Sequence, residues 1–387
     1  MPIRFERCGM DHGKWSDDGF LDSLRRQGDP LADQAVLRLM AHREVRAVNE
    51  IFKGLRADDD PIPADAPEPF REFVEATREL PPGVDRGRLA RSGHVFLKHA
   101  ASAAVTMLAS SLPRGYAAPC LCEILSISRD LQKHPFQRLM GVIQLLVNVS
   151  SPGAFEPDGK AVVTAQKLRL LHAGVRTMVP RFRPGYEEKH GVPVNHEDML
   201  ATIMGFSYLV IEGIRRLGLR LSDQEAEDYY YLWSVYARMM GIPDEYIPAS
   251  VAEAGEFYGS YVRRHDSGPV ENPYGVVLTQ DNLDMMKNLI PKPLRLVGFG
   301  FAPAVAMAEL MTPQELARVG VRPVPGFPVI RAVFNLGLRL AQGVEDLPFS
   351  SRLAAVIFQD MIDTSRAGEV TFCIPVTMAG LRGRSLE

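Results

Sequence analysis

Apolar residues recur along most of this chain at the three-to-four-residue spacing of a helix, and the strict alternation expected of strands is scarce. The pattern is clearest from Lys160 to Gly218. Leu168, Leu171, Val175 and Met178 form one apolar stripe, and Met199, Ile203, Phe206, Val210, Ile214 and Leu217 form another. Asn195 follows Pro193 as an N-cap, Asp198 stands three residues on in a weaker version of the capping box, and Gly218 ends the second stripe, so two long helices joined by a loop are expected.

The rest of the chain reads the same way. Leu31, Ala35 and Leu39, then Val45, Val48, Ile51, Phe52 and Leu55, keep helical spacing within residues 20–56. The acidic, proline-punctuated stretch Ala57–Pro69 is too poor in large apolar residues to pack and is expected as a surface loop. Helix resumes over Phe70–Glu79, and Pro81, Pro82 and Gly83 turn the chain. Leu89–Leu112 is small and apolar but starts at a lysine and a histidine and is too short for a span, which needs about 20 apolar residues. Pro135–Val149 is another apolar helix. Ser222 with Glu225 forms a capping box for a helix to Gly241, whose Tyr229, Tyr230, Trp233 and Tyr236 are expected in the core or lining a groove. Leu289–Met311 nears membrane length, but Arg295, Gly298, Gly300, Pro303 and Glu309 interrupt it, which suits a buried or membrane-peripheral element. The expected class is all-α.

Composition narrows the function. The 387 residues are 46% hydrophobic and 24% charged with net charge −3, an ordinary globular balance, and no basic cluster interleaved with aromatics suggests nucleic acid. No long linker divides the chain, so one large helical domain is expected, with peripheral terminal segments. Of Cys8, Cys120, Cys122 and Cys373 only one pair is close, a C-x-C without a second cluster, which reads as buried thiols in a reducing cytoplasm. The first residues lack the apolar core of a secretory signal, so a cytoplasmic protein is expected.

Few residues carry recognisable chemistry. Arg169, His172 and Arg176, at i, i+3 and i+7, set an imidazole between two guanidinium groups on one helix face, either a place for an anionic cofactor or a satisfied core histidine. His196 opens HEDML without the second histidine of a zinc protease and is expected at the surface of the first turn. His94 and His99 fall about 140° apart on a helix, too far to share a metal. GFGFAP lacks the strand and third glycine of a dinucleotide fingerprint, and no G-x-S-x-G elbow occurs.

The order of SLPRGYAAPC, RLMGVIQLLVNV, KLRLLHAGVR, GVPVNHEDMLATIMGFS and LWSVYARMMGIPDEYIP resembles the family that contains the rubber oxygenases (latex clearing proteins) and the fungal oxygenase of mycophenolic acid biosynthesis. The likeness spans roughly residues 28–330, leaving 1–27 as an extension and 331–387 as a C-terminal segment packed on the domain. It implies a helical fold around a b-type haem and dioxygen chemistry that cleaves isoprenoid carbon-carbon double bonds to carbonyls. In the rubber oxygenases the helix after P-V-x-x-x-D carries the proximal histidine; the matching position here is Met204, or Ile203 one residue earlier. The earlier helix presents a lysine there, and the matching residue is His172, while Arg169 matches a functionally important arginine. The implied site is therefore His172 as iron ligand, Arg169 and Arg176 on the propionates, and Met204 as a weak second ligand or a core residue. The expected partners are dioxygen and a hydrophobic small molecule such as a terpenoid or alkene-bearing lipid, with peripheral membrane contact possible. The alternatives are a non-catalytic haem- or lipid-binding protein and a haem-free helical protein.

Overall fold

The computed structural model describes residues 13–127, 135–290, 292, 295, 299–322 and 372–375. Cys8 and most of 331–387 lie outside them. Among the described residues there is no strand. In chain order the helices are α1 (Asp18–Arg25), α2 (Pro30–Ala41), α3 (Val45–Gly54), α4 (Glu68–Ala76), α5 (Arg86–Lys98), α6 (Ala100–Thr106), α7 (Leu112–Gly115), α8 (Pro119–Ile127), α9 (Pro135–Ser150), α10 (Ala161–Phe182), α11 (Tyr186–His190), α12 (His196–Phe206), α13 (Tyr208–Arg216), α14 (Asp223–Met239), α15 (Val251–His265), α16 (Pro273–Leu289), α17 (Ala302–Leu310) and α18 (Pro313–Arg318). The all-α expectation holds.

α10 is the longest of these helices and is buried on three sides. Leu168 joins the largest apolar cluster, which contains α14's Tyr229, Tyr230, Trp233 and Tyr236. Leu170 and Ala173 face a second cluster built by Val36 and Leu39 of α2, Phe52 of α3, and Phe70 and Phe73 of α4. Val175, Met178 and Val179 pack on Tyr186 of α11. A β-carbon at Gly174 would lie 2.6 Å from the Pro375 ring, so only glycine lets the C-terminal segment pass this close. That segment is pinned at Ile374, whose backbone N–H and C=O each pair with the Asn49 side chain at 2.9 Å. On the opposite side α5 lies along α14, where the buried Asp228 accepts from Arg88 at 3.0 Å and Arg91 at 2.8 Å.

Local signals explain most boundaries. Asn195 caps α12, its side chain accepting from Asp198 N–H, and Ser222 and Glu225 complete their capping box on α14. The single helix expected after Asn195, however, breaks at Ser207 (φ −112°, ψ −84°), whose hydroxyl donates back to the Ile203 carbonyl at 2.8 Å. All six predicted stripe positions are buried on both sides of the break, so apolar spacing alone could not reveal it. The loop before α12 contains α11, anchored where the Tyr186 hydroxyl donates to the Cys120 carbonyl at 3.0 Å. The 57–69 stretch is more than a surface loop: α10 lacks a capping side chain of its own, and Asp58 accepts from Val162 and Val163 N–H at 3.1 and 2.8 Å.

The small-residue run bends by 78° between Arg86–Lys98 and Ala100–Gly115. His99 at the bend is buried and His94 is exposed, in line with their angular separation. No single helix among the described residues is long and apolar enough to cross a membrane. Residues 13–27 are integral to the body: Trp15, Leu21 and Leu24 are buried, and Trp15 meets Phe257 of α15 edge-on at 5.4 Å. Cys120 and Cys122 are buried thiols.

Candidate functional site

The three residues of the R-x-x-H-x-x-x-R face all turn toward the start of α2, where the chain supplies two aspartates four residues apart. Asp29 is the N-cap of α2, accepting from Ala32 N–H at 3.2 Å, and Pro30 sets the first helical φ. The same carboxylate takes both sides of the Arg169 fork, Nε at 2.6 Å and Nη2 at 2.9 Å. Arg169 Nη1 donates to the Met239 carbonyl at 3.3 Å, and the guanidinium lies over Phe73, 5.3 Å from the ring centre. Burial pushes the Asp29 carboxyl up, but the hydrogen bonds and charge of Arg169 outweigh it and hold the group below its ordinary range. Each nitrogen of Arg169 is thus engaged inside the protein.

Seven residues on, Arg176 Nε donates to Asp33 at 2.7 Å and Nη1 to the Val194 carbonyl at 3.2 Å. Its Nη2 is buried without a partner. Burial raises Asp33 above its usual range despite the nearby guanidinium. The acceptor Val194 sits at φ 53°, a left-handed conformation that costs a β-branched residue roughly 1–3 kcal/mol. Gly28 makes room for the arginine, since a β-carbon there would lie 2.9 Å from Arg176 Cδ.

His172 lies between the two arginines. The residue is half-buried, with its Nδ1 enclosed by protein. Desolvation first, and the Arg176 charge second, lower its pKa to about 3. The imidazole is therefore neutral at physiological pH, and its buried Nδ1 has no hydrogen-bond partner.

Met204 is placed elsewhere. It is fully buried in the large apolar cluster with Ile203 and Phe206, and presents no sulfur to open space. The accessible side of α12 is instead at Thr202 and Gly205; every other residue of that helix is buried. His196 corrects the sequence-based expectation of a surface residue, being only 3% exposed. The α1–α2 connection covers it, Gln27 C=O accepting from its backbone N–H at 3.1 Å. Neither ring nitrogen makes a well-formed hydrogen bond, although the Gly28 backbone lies close, and burial lowers its pKa.

A second polar cluster escapes sequence reading because its members come from three separate segments. Arg25 Nη1 donates to Glu197 at 2.8 Å and Asp198 at 3.0 Å, His265 Nε2 is 2.9 Å from Glu197, and Tyr261 donates to Asp198 at 3.0 Å. Both carboxylates are buried, and the cluster ties α1 and α15 to the start of α12. The acidic pair in HEDML was its one visible sign.

Comparison with known proteins bears on this arrangement. The family model described as ER-bound oxygenase mpaB/B'/Rubber oxygenase, catalytic domain, matches residues 88–327. The rubber oxygenase of Streptomyces sp. (strain K30) is 27% identical over 231 residues, which is 57% of this chain and 55% of that protein. This chain thus matches about half the length of that relative. The solved structure of latex clearing protein in its closed state superposes with a TM-score of 0.72 at 22% identity, covering 87% of this chain and 90% of that one. The latter likeness is one of fold.

Proposed function

The chain belongs to the family of the ER-bound oxygenase mpaB/B' and rubber oxygenase catalytic domain, and from that premise we propose a haem-dependent oxygenase that cleaves a carbon-carbon double bond of a hydrophobic small molecule. The observation that carries this reading is His172: a half-buried, neutral imidazole whose buried Nδ1 is unpartnered, in the R-x-x-H-A motif that resembles the family's. A neutral imidazole is an ordinary haem ligand, and an orphaned buried nitrogen is rare unless something pairs with it. Haem, when bound, would supply dioxygen activation; one O2 and one alkene give two carbonyl groups, so no further reductant is needed.

The protein's own residues have defined tasks in this scheme. His172 would hold the iron, and its low pKa keeps the nitrogen lone pair available across the physiological range. Arg169, with every nitrogen engaged, is a positioning residue: through Asp29 it fixes α10 against α2 and so fixes His172. The buried Ile203, Met204, Phe206 and Val210 keep water out of the core beside α12. The accessible positions of that helix are Thr202 and Gly205, while Met204 is sealed in the apolar core.

The test is to reconstitute the full chain with haem and follow oxygen uptake with farnesyl- or geranylgeranyl-type alkenes. Stoichiometric carbonyl formation with O2 consumption is expected. A tightly bound haem with no uptake for any alkene would leave a haem-binding protein without this reaction.

A further inference from the structure

Leu289–Met311, the apolar run whose sequence suits either a buried or a membrane-peripheral element, divides in the fold. Its later part, α17, buries Val305, Met307 and Leu310 in the core. Two of its large apolar side chains stay in the open instead: Leu289 at the end of α16 is 41% exposed, and Phe301, the residue before α17, is 56% exposed. Cations stand around them. Lys287 and Lys292 are exposed and Arg295 is half-buried. Contacts draw this group together, since Arg295 Nη1 donates to the Asn288 side chain at 2.8 Å, and a β-carbon at Gly300 would lie 3.7 Å from Lys287 Cε and 3.9 Å from the Arg295 carbonyl. Among the described residues no ion pair engages Lys287, Lys292 or Arg295, and Asp284, the acid one turn back on α16, accepts from Gln280 at 3.2 Å.

We propose that this surface docks on an anionic lipid bilayer, with Phe301 and Leu289 entering the headgroup boundary and Lys287, Lys292 and Arg295 facing the lipid charge. Charge complementarity favours that occupant. The chain as a whole carries net charge −3, so attraction to an anionic surface has to come from a local excess of cations, and this patch supplies one. The other exposed apolar group, Val270, Tyr274 and Val277 at the opposite end of α16, stands beside Glu271 with no lysine or arginine anywhere in 266–286, and offers no such match. The Lys287 stem lies along the turn that carries Phe301, which lets the ammonium stay with the headgroups while the ring goes deeper. Docking does not depend on haem. Beside the function proposed above, it would put the protein where an alkene-bearing lipid is dissolved.

Co-sedimentation of the full chain with vesicles tests this, comparing phosphatidylcholine alone with phosphatidylcholine mixed with phosphatidylserine. A cation near an anionic surface contributes about fivefold, so binding to the mixed vesicles should exceed binding to the neutral ones by about tenfold or more, and the excess should shrink as added salt screens it. Lys287→Gln combined with Lys292→Gln should remove most of that excess. Phe301→Ser, which places a good capping residue before α17, should lower binding to the mixed vesicles by about fivefold or more, whereas Val270→Ser at the other end of α16 should leave it unchanged. The replaced side chains are all exposed, so folding is not at stake. Equal binding to the two vesicle types, an excess that survives the double lysine change, or a loss in Val270→Ser that matches the loss in Phe301→Ser overturns the proposal. None of these readings involves haem, so failure here leaves the function proposed above untouched.

Discussion

Replacing Arg169 by methionine while keeping Asp29 should be among the most destabilising single changes in this protein. The pair is bidentate, at 2.6 and 2.9 Å, and both side chains are at least nine-tenths buried. Removing one partner leaves a charged group in a low-dielectric interior, which costs roughly 3–5 kcal/mol, a large part of the 5–15 kcal/mol typical of a whole domain. Asp29 also caps α2, so two substitutions separate its roles. Asp29→Asn keeps an N-cap side chain and loses the charge, while Asp29→Ala loses both and should cost about 1 kcal/mol more. Because the partners act as a unit, Arg169→Met combined with Asp29→Asn should cost little more than either alone, a coupling of about 2 kcal/mol or more. Urea unfolding followed by circular dichroism, with the slope compared across variants, is the assay. Additive effects, or a cost below about 1 kcal/mol for Arg169→Met, would refute the idea that this pair fixes α10 to α2. The depressed Asp29 pKa sets the pH window: the contribution is full above the unfolded value near 3.9 and is lost as pH falls through the still lower folded value.

Other expectations follow from the same geometry. Met204→His should destabilise the fold by about 2 kcal/mol or more, because it puts a polar ring into a sealed apolar cluster; a stable variant with a bis-imidazole haem spectrum would show that α12 faces the iron there. His172 is held neutral with a folded pKa of about 3, far below the unfolded 6.5, so its contribution is complete above pH 6.5 and declines as pH falls toward 3, by at most about 1.4 kcal/mol per unit. His172→Gln should therefore flatten the acid limb of a plot of Tm against pH, and an unchanged limb would place the imidazole in a solvated setting. Arg25→Met should cost roughly 3 kcal/mol by taking the shared guanidinium from two buried carboxylates, Glu197 and Asp198, read by thermal unfolding against Arg25→Lys as the milder change.

The helices were legible because many close their boundaries with local chemistry, as the Ser222–Glu225 and Asn195 caps do, and because stripe residues such as Val210 and Ile214 must be buried. The break at Ser207 was not legible, since it leaves the apolar period intact and is made by a hydroxyl back-bond that any helix could carry. Arg169, His172 and Arg176 were visible as a set through their spacing. Their partners were not: Asp29 and Asp33 belong to a helix about 140 residues away, and nothing in local sequence joins them. His196 was misplaced for a related reason. A first-turn position is exposed unless another segment covers it, and the covering segment, Gln27–Gly28, comes from the far N-terminal part of the chain.

The central claim is that His172 is the residue that holds haem, and the absorption spectrum of the reconstituted protein tests it most directly. The unaltered chain should bind haem with a Soret band of an imidazole-ligated iron, and His172→Ala should lose or greatly weaken that binding while the far-ultraviolet circular dichroism stays helical. Return of the band on adding free imidazole to the variant would complete the expected pattern. Full haem retention by His172→Ala with an unchanged spectrum would contradict the account.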